Sequence, residues 1–262
     1  MKHSIIIPHR NRGDHLRACL WSIERSAQAT GVTDYEVCCP DSGDTTFNKS
    51  ASLNIGIDCT RGDFVTFLDA DAIVGSRWLE SVPFGDHITR CCYRVRYLDH
   101  GDWRDDVTAL AEWYAKHDDD QPLAFEAYGS PDHSPVGGAA RQGMSQDEFD
   151  PDGPWQLEPT RDNPLIFGNS QYTISREALG DLRFDDEYIG RGFEDLDMIW
   201  SIYLKHGRRY KGVIWTDADH AMFHLTHSYS EEWDSPALLA ANLARYKVKR
   251  EEYRAQAERI RL

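Results

Sequence analysis

The N-terminal third of the chain alternates short apolar runs with stretches in which apolar residues recur at helical spacing. The apolar runs cover residues 3–8, 35–40 and 63–74, and residues 15–29 and 47–60 between them have the helical pattern. This alternation is typical of βαβ units, whose strands lie parallel in one sheet. We therefore predict a β-α-β-α-β arrangement here and an α/β fold with a mostly parallel central sheet flanked by helices.

The pattern in the remainder of the chain is less regular. Residues 88–98 alternate well enough to predict one strand, and residues 105–117 have the spacing of a helix. Between residues 184 and 215 the sequence predicts a loop, a helix and a strand in that order. These elements would complete the α/β domain.

A long polar segment separates the two regular parts. Residues 119–164 are rich in Asp, Gly, Pro and Ser, which favours a flexible loop. Within it, residues 140–163 carry the isolated aromatic Trp155. We expect these residues to form a mobile lid that orders over a bound donor and excludes water. The alternative is a disordered surface insertion without functional consequence.

The tail, residues 236–262, is predicted to be one helix that is basic in an acidic chain. It carries seven Lys and Arg residues against three Glu, a net charge of +4. In one interpretation the helix packs Leu239, Leu243 and Tyr246 on the domain and exposes its charges to solvent. In the other it lies on a membrane surface and contacts anionic lipid.

The overall charge limits the classes of partner. The 262 residues include 44 Asp and Glu against 29 Lys and Arg, a formal charge of −15. General nucleic-acid binding is therefore not expected, because it requires positive surface. Only three consecutive apolar residues precede Pro8, and no segment approaches 18 apolar residues, so we expect a cytoplasmic protein with at most peripheral membrane contact.

The six cysteines do not predict a disulfide framework or a zinc site. Four of them form the adjacent pairs Cys38-Cys39 and Cys91-Cys92 within apolar runs, and no C-x-x-C motif occurs. Adjacent strand residues point to opposite faces of a sheet and cannot join distant segments together.

Charged residues follow each of the three predicted N-terminal strands. In an open α/β sheet ligands bind beyond the carboxyl ends of the strands, so these residues are expected to meet at one edge. Neither a dinucleotide-binding G-x-G-x-x-G motif nor a P-loop occurs there. The residues are Arg10, Arg12, Asp41, Asp69 and Asp71.

The D-x-D pair, Asp69 and Asp71, directly follows an apolar strand. Two such carboxylates suit a hard divalent cation, which would in turn hold a diphosphate. Phosphatases of the haloacid-dehalogenase type also place D-x-D after a strand. Their pair follows the first strand, whereas this pair follows the third and continues Ala-Ile-Val. The phosphatase interpretation is therefore disfavoured.

Several ordered motifs together resemble a known family. SIIIPHRNR, the strand that ends at Asp41, FNKSASLNIGI and FLDAD resemble the nucleotide-sugar half of family 2 glycosyltransferases. FNKSASLNIGI and FDDEYIGRGFEDLDMIWSIYLKHGRRY are similar to motifs of β-1,4-galactosyltransferases and chondroitin-polymerase-type enzymes, and MFHLTH is similar to their late histidine motif. The resemblance covers roughly residues 3–98 and 165–230.

The resemblance implies the GT-A fold, a Rossmann-like fold of nucleotide-diphospho-sugar transferases, as a single domain over residues 1–262. Residues 1–98 would form the nucleotide-sugar half and residues 99–235 the acceptor half, followed by the basic helix. Within the first half, the resemblance assigns the nucleoside to Arg10 and Asp41, and a phosphate to Lys49. The full set of implied donor-binding residues is Pro8, Arg10, Arg12, Asp41, Asn48, Lys49 and Asp69.

The resemblance also implies the catalytic and acceptor residues. Asp195 would be the general base that deprotonates an acceptor hydroxyl, with Glu194, Arg191 and Trp155 at the acceptor. Arg191 stands where the family usually has Trp, so ring stacking on the acceptor is not expected from this position. The alternative interpretation is that Glu194 and Asp195 only stabilise the start of a helix through its dipole.

A divalent metal ion, Mn²⁺ or Mg²⁺, is implied as cofactor. Asp71 would bind it together with His224 or His227, and His224 matches the family histidine better by its place after a strand. The implied reaction is inverting transfer of a hexose or N-acetylhexosamine from a nucleotide sugar, with UDP favoured by resemblance, to a glycan or other hydroxyl acceptor. A sugar-phosphate nucleotidyltransferase and a non-catalytic nucleotide- or glycan-binding module remain the alternatives.

Overall fold

The computed structural model describes eleven segments of the chain. These are residues 2–43, 46–83, 85–92, 95–98, 154–157, 171–190, 192–207, 211–215, 220, 222–225 and 235–261. Their regular elements, in chain order, are β1 (His3–Ile6), α1 (Gly13–Thr30), β2 (Tyr35–Cys38), α2 (Lys49–Cys59), β3 (Phe64–Phe67), β4 (Ala72–Val74), a 3-10 turn (Trp78–Glu80), β5 (Thr89–Cys92), β6 (Val95–Leu98), β7 (Pro154–Leu157), β8 (Tyr172–Ser175), α3 (Arg176–Leu179), α4 (Glu194–His206), β9 (Gly212–Trp215), β10 (Met222–Leu225) and α5 (Pro236–Arg261).

The predicted β-α-β-α-β arrangement of the first third is confirmed. β1 lies between β2 and β3 and is parallel to both, with His3 opposite Tyr35 on one side and Phe64 on the other. The carboxyl ends of the three strands therefore lie at the same edge of the sheet. This edge is where the charged residues that follow the strands are expected to meet.

Five of the seven described strands of the central sheet run in the same direction, which confirms the mostly parallel sheet predicted, and β7 and β8 run the opposite way. The strand order is β2-β1-β3-β8-β5-β9-β7. β8 is antiparallel to both β3 and β5, and β7 is antiparallel to β9. The sequence signal for parallel pairing came from the βαβ units of the first third alone, and it did not extend to β8 or β7.

The strand predicted over residues 88–98 is two strands in different sheets. β5 belongs to the central sheet, whereas β6 pairs with β10 in a second sheet of order β4-β10-β6. In this small sheet β4 is antiparallel to β10, so the chain that follows Asp71 is fixed against the late histidine segment. A continuous alternating pattern does not reveal such a change of sheet, because both strands have the same period.

Alternate residues of β1 fill two hydrophobic cores on opposite faces of the sheet. Ile5 packs with Cys19 and Ile23 of α1, and Ile6 packs with Leu53 of α2. The contact with α2 is close, since a Cβ on Gly56 would lie 2.3 Å from Cγ2 of Ile6. Both helices are thereby fixed beneath the strand ends.

The C-terminal tail forms the single helix that its sequence predicts, α5. It contacts α4, with Trp200 Nε1 donating a hydrogen bond to the hydroxyl of Tyr246 at 3.2 Å. Tyr246 is buried, Leu243 is partly buried and Leu239 is exposed, so only part of the expected apolar face packs on the domain. Arg245 and Lys249 form ion pairs with Asp185.

Two predicted segments lie mostly outside the described residues. The helix over residues 105–117 does so entirely, and of the loop over residues 119–164 only β7 is described. β7 is a correction to the loop prediction, because residues 154–157 pair with β9 as the last strand of the sheet. Within the described residues, no helix is both long and apolar enough to cross a membrane.

Candidate active site

The ammonium of Lys49 lies at the centre of three carboxylates. Its Nζ is 2.9 Å from Oδ1 of Asp69, and 3.4 Å from both Oε1 of Glu194 and Oδ2 of Asp195. Asp69 follows β3, Lys49 begins α2, and the other two carboxylates begin α4. The cluster therefore joins the D-x-D segment to the Glu-Asp segment, which the sequence assigned to donor and acceptor respectively.

The start of α2 is fixed to the loop that precedes α4. The side chain of Asn48 accepts a hydrogen bond from the amide of Ala51 as the N-cap of α2, and its Nδ2 donates to the carbonyl of Asp186 at 2.7 Å. The amide of Gly190 donates to the carbonyl of Phe47 at 3.0 Å. Asn48, predicted to bind the donor, thus uses both ends of its amide to place Lys49, and donor contact remains a prediction for it.

The loop before α4 has an unusual backbone. Gly190, Gly192 and Phe193 all have positive φ, with values of 78°, 96° and 75°. Glycine adopts this region readily, but for a residue with a side chain it costs about 1–3 kcal/mol and persists only when the surroundings enforce it. Phe193 directly precedes Glu194 and Asp195, so the strained residue sets the direction in which the two carboxylates enter the cluster.

Burial controls the electrostatics of the cluster. Burial raises the pKa of the Asp195 carboxyl; the charge of Lys49 opposes this shift, and those of Glu194 and Asp69 add to it. Burial disfavours the charged form of Lys49, but the surrounding carboxylates outweigh that cost and raise its pKa. Asp195 is therefore a carboxylate with an increased affinity for a proton, held beside a firmly charged ammonium.

Two carboxylate oxygens of the cluster are buried and accept no hydrogen bond from any described residue. They are Oδ1 of Asp195 and Oε2 of Glu194. Buried polar atoms in proteins nearly always have partners, so an exception calls for an explanation. A hydroxyl group of a bound molecule is the kind of donor that these oxygens would accept.

The predicted charged residues meet at the carboxyl edge of β1, β2 and β3. Nη1 of Arg12 lies 2.9 Å from Oδ2 of Asp71, and Nε of Arg10 lies 4.0 Å from Oδ1 of Asp41. Pro8, which follows β1, is buried. The edge thus presents guanidinium groups and carboxylates together, as the sequence predicts, and the assignment of individual donor contacts remains a prediction.

Gln171 is a residue of the site that sequence reasoning missed. Its Nε2 donates a hydrogen bond to Oδ2 of Asp69 at 3.2 Å, opposite the contact with Lys49. Gln171 precedes β8, which is antiparallel to β3, so the start of β8 lies at the same edge as the end of β3. The signal in the sequence was a polar residue directly before the apolar strand β8. It indicates a site residue only once β8 is known to run antiparallel to β3.

The residues expected to bind metal have suitable chemistry. Asp71 is buried and offers carboxylate oxygen, and the strand register places His224 opposite Ala72, the residue after Asp71. Carboxylate with imidazole is a donor set that suits Mn²⁺. Within the described residues, no three His, Cys, Asp or Glu side chains are grouped to hold a metal ion. His227 and Arg191 lie outside the described residues, and Trp155 is placed in β7.

The sequence model of glycosyl transferase family 2 matches residues 44–82, the segment from α2 through the D-x-D pair. Several solved structures share the fold. The catalytic domain of Drosophila β1,4-galactosyltransferase 7 in complex with xylobiose is 12% identical, with a TM-score of 0.54 over 89% of this chain and 74% of that one. The chain has the GT-A fold. The fold class and the family resemblance inferred from the sequence are thereby confirmed.

Two further structures with this fold contain ligands. S. aureus TarS 1–349 in complex with UDP-GlcNAc is 14% identical, with a TM-score of 0.55 over 90% of this chain and 61% of that one. A mutant of the Drosophila enzyme in complex with manganese, UDP-Gal and xylobiose is 12% identical, with a TM-score of 0.52. No curated protein sequence matches the chain. The match of residues 44–82 to the family model, together with the GT-A fold, supports glycosyltransferase activity.

Proposed function

We propose that the protein is a metal-dependent inverting glycosyltransferase that transfers a hexose or N-acetylhexosamine from a UDP sugar to an acceptor hydroxyl. The observation that carries the proposal is the position of Lys49. Its ammonium contacts Asp69, which follows β3, and Asp195, which lies at the start of α4. A donor held at the strand ends would therefore place its diphosphate beside a cation and its sugar beside a base. The UDP sugars bound by two proteins of the same fold agree with this donor class.

Asp195 is the proposed general base. Its Oδ1 accepts no hydrogen bond from a described residue, so the capacity of this oxygen to accept one from an acceptor hydroxyl is unused within the described part of the chain. A carboxylate with a raised pKa takes a proton more readily than one at its ordinary value. As the hydroxyl oxygen forms its bond to the anomeric carbon, the proton passes to Asp195, and the electrons of the broken bond leave with the diphosphate. A single displacement of this kind inverts the anomeric configuration.

The donor side is proposed to hold the diphosphate by charge. Lys49 is partly buried at the strand edge and contacts carboxylates of both halves of the site, so its ammonium can contact a phosphate. Asp71 and His224 are the residues that would hold a divalent cation, which when bound stabilises negative charge on the departing diphosphate. Gln171 fixes the Asp69 carboxylate and prevents it from turning away from Lys49.

Glu194 is the proposed acceptor contact. Its side chain is buried, and its Oε2, like Oδ1 of Asp195, accepts no hydrogen bond from a described residue. Carboxylate oxygens on two consecutive residues can accept hydrogen bonds from the hydroxyl groups of a sugar. A saccharide acceptor is therefore proposed, in line with the xylobiose bound by the Drosophila enzyme of the same fold.

The test is a transfer assay with the purified protein, Mn²⁺ and a panel of UDP-hexoses and UDP-N-acetylhexosamines, offered to saccharide acceptors. Mass spectrometry would detect the glycosylated product and released UDP, and NMR of the new anomeric proton would give the configuration. Formation of an inverted product supports the proposal. Tight UDP binding without transfer or hydrolysis would instead identify a binding module, and formation of a nucleotide sugar from a sugar phosphate and a nucleoside triphosphate would identify a nucleotidyltransferase.

A further inference from the structure

Helix α5 covers the loop that carries the strained backbone before α4. The ring of Tyr246 stacks on the ring of Phe193, with centroids 5.4 Å apart and an interplanar angle of 24°. Nδ2 of Asn242 donates a hydrogen bond to the carbonyl of Ile189 at 2.9 Å. A Cβ on Gly192 would lie 2.9 Å from Cδ1 of Leu239, so the loop and the helix are in close contact.

The charged residues of α5 hold both ends of the same region. Arg245 and Lys249 contact Oδ2 of Asp185 at 2.7 and 2.8 Å, before the loop. Lys249 also lies 2.6 Å from Oδ2 of Asp197 in the first turn of α4, and the hydroxyl of Tyr253 donates to Oδ1 of Asp197 at 2.8 Å. The basic residues that suggested a lipid-binding face are thus partly used within the protein.

The contacts with Phe193 and Ile189 bear directly on the direction of Asp195. A residue with a side chain keeps a positive φ only where its surroundings enforce it. In this structure Tyr246 holds the Phe193 ring and Asn242 holds the backbone four residues before it. Without them the loop can relax to an ordinary φ, which would rotate the start of α4 and move Asp195 away from Lys49.

We propose that Tyr246 and Asn242 are positioning residues for Asp195. This inference rests on the proposed function, in which Asp195 is the general base. It gives α5 a role in catalysis without contact with substrate. Its physical content, the loss of a defined loop conformation when the ring of Tyr246 is removed, is measurable without any enzymatic assay.

The test compares Tyr246→Leu, Tyr246→Phe and Asn242→Ala with a control in the same helix, Val248→Ala. Val248 is also an apolar residue of α5, but it is 64% exposed. Hydrogen exchange of the backbone over residues 189–195 would report the loop directly. Transfer kinetics would give kcat, and calorimetry would give the affinity for UDP.

We expect Tyr246→Leu and Asn242→Ala to exchange faster in residues 189–195 and to lose at least tenfold in kcat, with UDP affinity within about twofold of the parent. Tyr246→Phe keeps the ring and should restore both values. Val248→Ala should leave both unchanged. Unaltered exchange in Tyr246→Leu, or an equal increase in Val248→Ala, would overturn the inference. If Tyr246→Leu exchanges faster in residues 189–195 but the parent protein has no transferase activity, only the proposed function is disproved.

Discussion

Lys49 and Asp195 are separated by 146 residues in the sequence, yet Nζ of the first lies 3.4 Å from Oδ2 of the second. The contact joins the segment matched by the family model to the start of α4. The protonation of Asp195, the proposed base, therefore depends on a residue of the donor half. Any molecule that competes for Lys49, a diphosphate included, would therefore change the environment of Asp195.

Replacing Asp195 with Asn should separate catalysis from donor binding. The amide is similar in size but accepts protons far less readily, so kcat should fall by about 10²-fold or more, the scale expected for loss of a general base. UDP affinity should remain within a few-fold of the parent. Steady-state kinetics and titration calorimetry give the two values.

The matched control for Asp195→Asn is Asp181→Asn. Asp181 forms an ion pair with Lys205, and its side chain is 94% exposed, so the same chemical change occurs away from the cluster. It should leave both kcat and UDP affinity unchanged. A variant of Asp195 that binds UDP weakly but turns over normally at saturating donor would assign the residue to binding or helix capping.

Replacing Lys49 with Met should shift the pH dependence of catalysis. The ammonium stabilises the charged form of Asp195, so its removal raises the pKa of that carboxyl further above its ordinary value. Because the base must be ionised to accept a proton, activity on the acid side should be lost at higher pH than in the parent. The pH profile of kcat/KM measures this, since it reports groups of the free enzyme.

Two further variants complete the Lys49 test. Lys49→Arg keeps the charge and should have an acid limb close to that of the parent. Lys205→Met removes a lysine that pairs with the exposed Asp181 and should not alter the profile. An acid limb in Lys49→Met that coincides with the parent or lies at lower pH would contradict the electrostatic coupling.

The sequence predicted the edge of the site well, for a clear physical reason. Asp69 and Asp71 follow an apolar strand, and the βαβ pattern places strand ends together whatever the details of packing. The prediction failed where the position of a residue depends on strand direction or on contacts between distant segments. The local sequence does not show whether a strand runs parallel or antiparallel to its neighbour, so Gln171 was missed. Positive φ was not expected at Phe193, because glycine is the residue that normally adopts it.

The ion pairs of the basic tail could not be predicted from the local sequence pattern either. Seven basic residues in one helix suggested solvent or lipid as partner, but the acidic residues that pair with Arg245 and Lys249 lie at least 52 positions earlier. Periodicity indicates which face of a helix is charged. It does not indicate which carboxylates the fold brings to that face.

Asp71 should be required for metal binding. Asp71→Ala removes the carboxylate that is proposed to bind the cation, so Mn²⁺ should bind much more weakly, and UDP affinity should no longer depend on Mn²⁺. Loss of the free Mn²⁺ signal in electron paramagnetic resonance measures metal binding. Calorimetry with UDP, in Mn²⁺ or in chelator, measures the donor.

Arg12→Gln is the informative partner of the Asp71 variant. Arg12 competes with a cation for Oδ2 of Asp71, so its removal should leave Mn²⁺ binding as tight as in the parent or tighter. UDP affinity that is the same in chelator and in Mn²⁺ for the parent protein would contradict the metal role. The same conclusion would follow from Mn²⁺ binding to Asp71→Ala with parental affinity.

A carboxylate remote from the site should govern stability in acid. Oε1 of Glu36 accepts hydrogen bonds from the amides of Arg61 and Gly62 at 2.7 and 3.1 Å and from the hydroxyl of Ser4 at 2.8 Å. Nζ of Lys2 lies 2.9 Å from Oε2. Burial opposes the charge of Glu36, but these partners outweigh it and lower the pKa to about 2 from an ordinary value of 4.5.

Glu36→Gln should therefore destabilise the protein at neutral pH by about 1.5–3 kcal/mol, the range for hydrogen bonds to a charged group. A pKa that is lower in the folded state contributes stability that is fully present above the unfolded pKa and is lost as pH falls from about 4.5 towards 2. The difference in the free energy of unfolding between the parent and Glu36→Gln should accordingly shrink over that interval. Denaturant unfolding at a series of pH values measures it.

Glu24→Gln, the same change at an exposed position of α1, should show no such difference. A gap between the parent and Glu36→Gln that stays constant from pH 7 to pH 2 would show that the carboxylate is not stabilised in the folded state.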